Sequence, residues 1–412
     1  MVAAGSPGER VVIVGAGPAA AFAALAAREA GHAGPITLIG NERWFPYERP
    51  VLSKAFLTGN SARADLVLPL QHQFDALGIQ VRLDATVETI DRKDARVRLS
   101  SRDSLPYDRL LLACGARARR LEVPGADLPN VHHLRTIDDA CRIRDQWHHW
   151  RRVLIAGAGL IGMELAAVAA SRGCEVIVVE QADRSMARVV PAGLSRAVEQ
   201  RHIQRGVRFD FGTAVQAIES AGDGSLMVSH ADAPPVQVDA VLVGIGAVPN
   251  DELAASAGLA VRTGIVTDQY GRTEDPLIFA AGDAALSYDP LLERHVRFES
   301  WQGAQERAAL VGRAIAGRYD TDVIVPWFWS DQYDFTVQVA GAPEHWDGVI
   351  VRRQPDGSGE TWLLAADGRL TGAATINAIR DMRLVRKALL NKRRFDVDKA
   401  SDVSTPLAQC FA

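Results

Sequence analysis

The chain carries one glycine pattern twice, and that repeat narrows the folds open to it. The first copy reads Val11-Val12-Ile13-Val14-Gly15-Ala16-Gly17-Pro18-Ala19-Ala20. The second reads Val153-Leu154-Ile155-Ala156-Gly157-Ala158-Gly159-Leu160-Ile161-Gly162. Each opens with a short apolar run suited to a strand buried on both faces of a parallel sheet. Each passes through GxGxx(G/A) into an alanine-rich stretch of helical composition, 19–29 and then 164–172. A glycine and a second apolar strand follow, 36–39 and 175–179. The pattern predicts two βαβ units. The first glycine of such a loop allows the tight turn out of the strand. The second lets a pyrophosphate approach the backbone, and the third small residue lets helix and sheet pack closely. The helix start offers N–H groups and a positive dipole end to the phosphates. A single loop of this kind also suits a plain strand–helix turn. Two, each in full strand–helix–strand context, point to two dinucleotide sites.

The residue after the second strand tests this reading, because a carboxylate there accepts ribose hydroxyls and disfavours a 2′-phosphate. Glu180 stands there in the second unit, 23 residues after Gly157, and favours NADH over NADPH. Arg184, close by, is the opposing signal. In the first unit Asn41 occupies the expected place of the acid and Glu42 follows it, so either could hold a ribose. Three more strand-and-turn segments fit a bound flavin nucleotide. One is 107–116, with Ala113, Cys114 and Gly115 at its turn. Segment 240–246 repeats that form and ends in Gly244-Ile245-Gly246. Segment 278–284 ends in Gly282-Asp283. Asp283 can bond a ribityl or phosphate-side hydroxyl, or cap a helix.

Composition removes other classes. The length of 412 residues predicts two to four domains, and 48% hydrophobic with 23% charged residues describes a globular chain, not a disordered one. A net charge of −4 gives no support to nucleic-acid binding. The four cysteines, Cys114, Cys141, Cys174 and Cys410, form no local pair. That argues against a CxxC redox centre, a zinc cluster and a closely ligated iron–sulfur cluster. The ten histidines lack metal spacing, and no metal is expected. No apolar run reaches membrane-spanning length. The first ten residues lack the apolar core of an export signal, so no membrane association and a cytoplasmic location are expected.

Four blocks carry a family resemblance. Trp44-Phe45-Pro46-Tyr47-Glu48-Arg49-Pro50-Val51-Leu52-Ser53-Lys54 resembles the PY-x-RPPLSK segment of FAD-dependent ferredoxin reductases. Phe279-Ala280-Ala281-Gly282-Asp283 resembles their second flavin motif, and Phe298-Glu299-Ser300-Trp301 their (L/F)E(S/T)W segment. Pro326-Trp327-Phe328-Trp329-Ser330-Asp331-Gln332 matches their PWFWSDQ block. The resemblance runs from Val11 to about Phe395 and is nearest to the reductase components of bacterial aromatic ring-hydroxylating dioxygenases, with putidaredoxin reductases as relatives. It implies an α/β, glutathione-reductase-like architecture: two Rossmann-type dinucleotide-binding domains plus an α+β C-terminal domain. The FAD domain would be split over 1–115 and 248–325, the NAD domain would span 116–247, and the C-terminal domain 326–412. Two departures are visible: Cys114 where the family has threonine, and Asn41 where it has an acid. Cys114 reads as a small filler, not a redox thiol.

The resemblance also assigns residues. FAD contacts fall at Gly15, Gly17, Pro18, Ala19, Ala20, Asn41, Glu42, Arg49, Lys54, Val87, Ala113, Cys114, Gly115, Arg135, Gly282, Asp283, Ser300 and Trp301. NAD contacts fall at Gly157, Gly159, Leu160, Ile161, Gly162, Glu180, Arg184, Gly244, Ile245, Gly246 and Glu299. Lys54, Glu299 and Trp301 carry the catalytic expectation, with Lys54 by the flavin ring and Glu299 pairing with it to place the nicotinamide. The implied reaction is hydride transfer from NADH to FAD, then single-electron transfer to a small acidic two-iron ferredoxin, and through it to a terminal oxygenase. Trp327 and Trp329, at strand spacing, share one side and with Arg386 and Lys387 form an expected docking patch. Residues 380–394 hold seven basic groups against one acid, Asp381. Met382, Val385 and Leu389 fall on one face of a helix there, leaving a basic outer face for an acidic partner. Other readings remain open: a carrier such as rubredoxin or a haem-monooxygenase ferredoxin, or an NADH-sensing interaction protein like apoptosis-inducing factor. A thiol-based NADH oxidase, peroxidase or disulfide reductase fits poorly, since Ser53 stands where such a cysteine would be sought.

Overall fold

The computed structural model describes residues 8–230, 234–341, 346–354 and 356–411. The chain forms two compact units. The first joins residues up to Glu48 with Arg63–Arg117 and Val248–Pro326. The second joins Arg49–Ala62, Ala118–Ala247 and the chain from Trp327 onward.

The first unit is built on a five-stranded parallel sheet in the order Ile278–Ala280, Arg109–Leu112, Val11–Val14, Ile36–Ile39, Ile79–Arg82. Val11–Val14 and Ile36–Ile39 are buried at every residue, as expected of strands covered on both faces. The helix Pro18–Glu29 follows the first glycine loop and buries nine residues, seven of them alanine. Small side chains let its axis lie close to the sheet on one side and to the helix Ala308–Ile315 on the other, within one apolar core. A three-stranded antiparallel sheet, Val87–Asp91, Arg96–Leu99 and Ser104–Pro106, stands before the fourth parallel strand.

The second unit repeats the plan: Val207–Phe211, Glu175–Glu180, Arg152–Ala156, Ala240–Val243, Val131–His133, all parallel. A three-stranded antiparallel sheet again precedes the fourth strand, Leu226–His230 pairing with Val215–Ser220 and Val236–Val238. The duplication thus extends to four strands, two helices (the second being Gln71–Ala76 in one copy and Ala192–Ile203 in the other) and one antiparallel insertion. Only the fifth strand breaks it. In the first unit it comes from chain that returns after the whole second copy; in the second it comes from chain just before the copy begins. The helix after the second loop spans Leu160–Ser171, four residues earlier than the composition predicts, because Gly159 caps it in extended conformation as Gly17 caps the first.

The same unit contains an antiparallel sheet in the order Trp327–Gln332, Phe335–Gly341, Arg369–Ile376, Glu360–Ala366, Gly348–Arg353. The helix Ile379–Leu390 packs on it. Met382, Val385 and Ala388 are its buried residues; Leu389, expected on that face, is only half-buried because Ala388 takes the inner position. The helix stops at Leu390, so Lys392, Arg393 and Arg394 lie beyond it.

The stretch Arg49–Ala62, assigned from sequence to the first domain, belongs to the second compact unit. The causes are local. The Arg172 guanidinium donates to the Leu57 carbonyl at 2.7 Å, Arg144 lies 4.1 Å from the centre of the Phe56 ring, and Lys54 pairs with Glu164 at 2.9 Å.

Candidate active site

The glycines of each loop differ in what surrounds them. Gly15 and Gly157 turn the chain with φ of +119° and +102°, and a Cβ on either would run into the backbone oxygen of Ala113 or Gly244, at 2.2 and 2.6 Å. Gly17 and Gly159 are different. A Cβ on Gly17 would meet nothing within 4 Å, and one on Gly159 only the Gly244 oxygen at 3.8 Å. Each is the cap of a twelve-residue helix with no side-chain cap hydrogen bond of its own. An open cradle of donors at a positive helix end is what a pyrophosphate requires. Gly162 closes the second loop: a Cβ there would lie 1.9 Å from the Gly157 oxygen. Ala20 holds the matching place in the first loop and is fully buried.

Several of the residues expected around the first cradle lie in the first unit, close to the loop. Gly40 lies against Ala16, where an added Cβ would come within 2.5 Å of the alanine's own, which brings Asn41 and Glu42 beside the loop. Asn41 is exposed, while Glu42 accepts a hydrogen bond from the Tyr47 hydroxyl at 2.7 Å. Gly282, at φ +71°, lies against Ala19 and carries Asp283 to the helix start, within a short helical turn and not at a helix cap. Val87 packs in the same cluster as Val14 and Ile39. Cys114 follows Ala113, its sulfur 3.7 Å from the Val14 carbonyl oxygen. Burial pushes its thiol up to about 12, so it holds its proton and acts as a small filler. Asn250 donates to the Cys114 carbonyl at 2.9 Å and braces the Gly115 turn. Trp301 meets Phe22 of the loop's helix edge to face, ring centres 6.1 Å apart, and the Ser300 hydroxyl accepts from the Gly303 N–H at 3.0 Å.

Around the second cradle, the Glu180 carboxylate accepts from the backbone N–H groups of Ala158 and Ala182, at 2.6 and 2.8 Å. It therefore fixes the loop and sits at its rim. The Arg184 guanidinium is turned into its own loop, donating to the carbonyls of Ala187 and Val190 and pairing with Asp183. The basic group near the glycine turn 244–246 is instead the exposed Arg188, which the sequence reading did not single out; its guanidinium lies 3.7 Å from where a Cβ on Gly246 would stand. Ile161 is 41% exposed on the helix face above the cradle.

Lys54 and Arg49 belong to the second compact unit, as does Arg135, whose carbonyl accepts from Arg49 at 2.9 Å. The lysine's acid is not the expected one. Lys54 Nζ lies 2.9 Å from Glu164 Oε1, whereas Glu299 is ion-paired with Arg297. Glu164 is 2% exposed and also accepts from the hydroxyls of Ser53 and Ser330, the latter at 2.7 Å. Lys54 sits where a wide helical turn, Leu52–Phe56, is broken, and its ammonium reaches the Pro50 carbonyl at 3.2 Å. The signal for Glu164 was present in the sequence: it is the one charged residue in the run Leu160–Ser171. An acid in an otherwise apolar, buried helix needs a partner, and here it has three.

On the strand Trp327–Gln332, the rings of Trp327 and Trp329 stack, with centres 5.5 Å apart. The Arg386 guanidinium covers Trp327 at 4.4 Å, and Lys387 is exposed beside it. The strand spacing and the amphipathic helix thus bring three of the four expected docking residues into direct contact.

Comparison with known proteins agrees with this geometry. The pyridine nucleotide-disulphide oxidoreductase model matches residues 9–308, and the reductase C-terminal model matches residues 327–411. The chain is 39% identical over 397 residues to the anthranilate 1,2-dioxygenase system ferredoxin–NAD(+) reductase component of Burkholderia cepacia, covering 96% of this chain and 98% of that one. It is 38% identical to rhodocoxin reductase of Rhodococcus erythropolis, covering 98% of this chain and 94% of that one. Among solved structures, it resembles the reductase of the covalent putidaredoxin reductase–putidaredoxin complex with a TM-score of 0.93, at 34% identity over 98% of each chain. With both nucleotide cradles, the C-terminal sheet and these full-length likenesses in hand, the chain belongs to the pyridine nucleotide-disulphide oxidoreductase family and ends in a reductase C-terminal domain.

Proposed function

We propose that the chain is an NADH-dependent flavoprotein reductase that passes electrons one at a time to a small, acidic two-iron ferredoxin serving an aromatic ring-hydroxylating dioxygenase. The observation that carries this reading is the pair of open cradles at Gly17 and Gly159, one for each dinucleotide. In domain terms, residues 1–115 and 248–325 hold FAD, 116–247 hold NADH, and 326–412 form the face that meets the carrier. The protein works in the cytoplasm; no described helix is long and apolar enough to cross a membrane.

FAD, when bound, supplies the chemistry of accepting a hydride and giving up single electrons. The chain's own residues bind, orient and supply charge. The loop at Gly15 and Gly17 admits one pyrophosphate, and the loop at Gly157 and Gly159 admits the other. Lys54 contributes a positive charge whose position is fixed by Glu164. Glu180 holds the second loop and presents its carboxylate to the ribose side. Glu180→Ala is expected to lower the NADH-to-NADPH ratio of kcat/KM by about tenfold, the worth of about one good hydrogen bond to a charged group. Steady-state kinetics with both nucleotides measure this, and a fall in both efficiencies at constant ratio would leave Glu180 a loop brace only.

The direct test is reduction of carriers by NADH and the purified holoprotein. Relatives named for a dioxygenase system and for rhodocoxin stand nearly level, so the assay includes both kinds of ferredoxin and a rubredoxin. Sustained reduction of the dioxygenase ferredoxin supports the reading. Bleaching of the flavin with no transfer to any of these carriers overturns it. Charge reversal at Arg386 and Lys387 is expected to cut ferredoxin kcat/KM by about tenfold or more at low salt, and less at high salt, because steering by opposite patches is screened. Ferricyanide reduction by NADH should be unchanged; equal loss in both assays would indicate damage to the fold.

A further inference from the structure

A chain of polar side chains runs from Glu164 through Ser330 to Gln332, His202 and Tyr333, the last three of which no role so far described uses. The Ser330 hydroxyl lies 2.7 Å from Glu164 Oε1. The Gln332 amide nitrogen lies 3.1 Å from Ser330 Oγ, and its oxygen lies 2.8 Å from His202 Nε2. The Tyr333 hydroxyl lies 3.3 Å from His202 Nδ1. Glu164, Ser330, Gln332 and His202 are each 2% exposed or less. They come from three elements: the helix Leu160–Ser171, the helix Ala192–Ile203 and the strand Trp327–Gln332.

The donors in this chain all point one way. A carboxylate only accepts, so Ser330 spends its single proton on Glu164. Ser330 must then accept from the Gln332 NH2, which turns the amide oxygen toward His202. That oxygen requires a proton on His202 Nε2, which leaves Nδ1 to accept from Tyr333. Reversing any link sets two acceptors against each other somewhere along the line, and buried groups pay heavily for that. We propose that His202 is a positioning residue: through Gln332 and Ser330, its Nε2–H tautomer orients the Glu164 carboxylate that holds Lys54. The inference rests on the reading that the Lys54–Glu164 pair serves the NADH reaction.

The surroundings keep the imidazole in the required form. Burial, with Arg205 nearby, outweighs the bond to Gln332 and brings His202 down to about 4, and burial raises Tyr333 to about 12. Arg205 covers the Tyr333 ring at 4.4 Å and pairs with Asp334 at 2.7 Å, closing the outer end of the chain. The rings of Phe209 and Tyr333 meet His202 edge to face. Ser330 and Gln332 project from the face of their strand opposite Trp327 and Trp329. One strand therefore carries both the aromatic patch and the support of Glu164.

The test uses the FAD-loaded holoprotein. Histidine-selective 15N NMR of the unaltered protein should find His202 neutral and protonated at Nε2 between pH 6 and 8; a protonated Nδ1 overturns the proposal without any variant. His202→Leu removes the donor, and its KM for NADH should rise about tenfold with ferricyanide as acceptor, while kcat changes by less than about twofold. His202→Gln can place an amide N–H where Nε2–H stood and should restore KM to within about twofold of the original. An unchanged KM in the leucine variant overturns the proposal. So does a glutamine variant that regains thermal stability without regaining KM. If the leucine variant does not fold, the tautomer and the comparison of His202→Gln with the original protein still decide. None of these measurements involves a ferredoxin, so failure of the functional reading appears separately, in the carrier assay.

Discussion

Glu164→Ala is expected to be among the most damaging single substitutions in the chain, in stability and in turnover together. The carboxylate is 2% exposed, and its removal strands three donors: the Lys54 ammonium and the Ser53 and Ser330 hydroxyls. Lys54 is itself only 16% exposed at its side chain and would keep the Pro50 carbonyl as an acceptor. Breaking a buried ion pair by deleting one member costs about 3–5 kcal/mol, because the remaining charge stays buried and uncompensated. In a chain of this size that corresponds to a drop in Tm of about 3–6 °C, read by calorimetry on the holoprotein. On the role proposed for Lys54, loss of its fixed position should also cut kcat/KM for NADH about 100-fold, the usual scale for misplaced catalytic geometry. The double variant Glu164→Leu with Lys54→Met separates the two effects. It removes both charges and fills the space, so stability should largely return. Turnover should not, since Lys54 is gone. If the single alanine variant melts within about 2 °C of the original, the pair is a surface-like contact and the site assignment fails.

This pair also marks the limit of what could be read from the residues alone. Both glycine loops, both following strands and the shared face of Trp327 and Trp329 follow from spacing, because backbone periodicity decides which neighbours a residue can have within one element. Glu42 and Asn41 could be placed beside the first loop for the same reason. Pairings between elements distant in sequence obey no such rule. Lys54 finds Glu164 across 110 positions because the segment Arg49–Ala62 leaves the first unit, and nothing in its own sequence announces that crossing. Glu299 looked like the partner because it belongs to a recognisable block, yet Arg297, two residues away, already holds it. The strand Val131–His133 escaped for a related reason. Two adjacent histidines do not resemble a buried edge, and the neighbour that makes them one, Ala240–Val243, lies more than a hundred residues later. Arg184 was misplaced by proximity: it is near Glu180 in sequence, but carbonyls of its own loop offer its guanidinium a nearer set of acceptors. Local chemistry was legible, and the choice among distant partners was not.

The sharpest test of the cradles exploits the contrast between glycines that the fold needs and glycines that only a ligand needs. Gly17→Val places a Cβ where nothing lies within 4 Å, at a residue with φ of −87°, which valine adopts without strain. The fold loses only the modest preference for glycine over valine at a helix cap, about 1 kcal/mol. The space the side chain fills is that of the expected pyrophosphate. The expected result is a soluble protein with an unchanged far-ultraviolet circular dichroism spectrum that retains less than about a tenth of the normal FAD, the scale of a lost phosphate cradle. Its Tm should fall toward that of the flavin-free protein, because the ligand's stabilisation is gone. Gly159→Val should leave the protein yellow and raise KM for NADH, since that cradle belongs to the other nucleotide. Gly162→Ala behaves differently: its Cβ would lie 1.9 Å from the Gly157 oxygen, so helix and loop must separate and stability itself falls by about 1–3 kcal/mol. Full FAD content in Gly17→Val would mean that the first loop is a turn and no more. Loss of FAD in Gly159→Val with FAD retained in Gly17→Val would mean that the two nucleotides are assigned to the wrong halves.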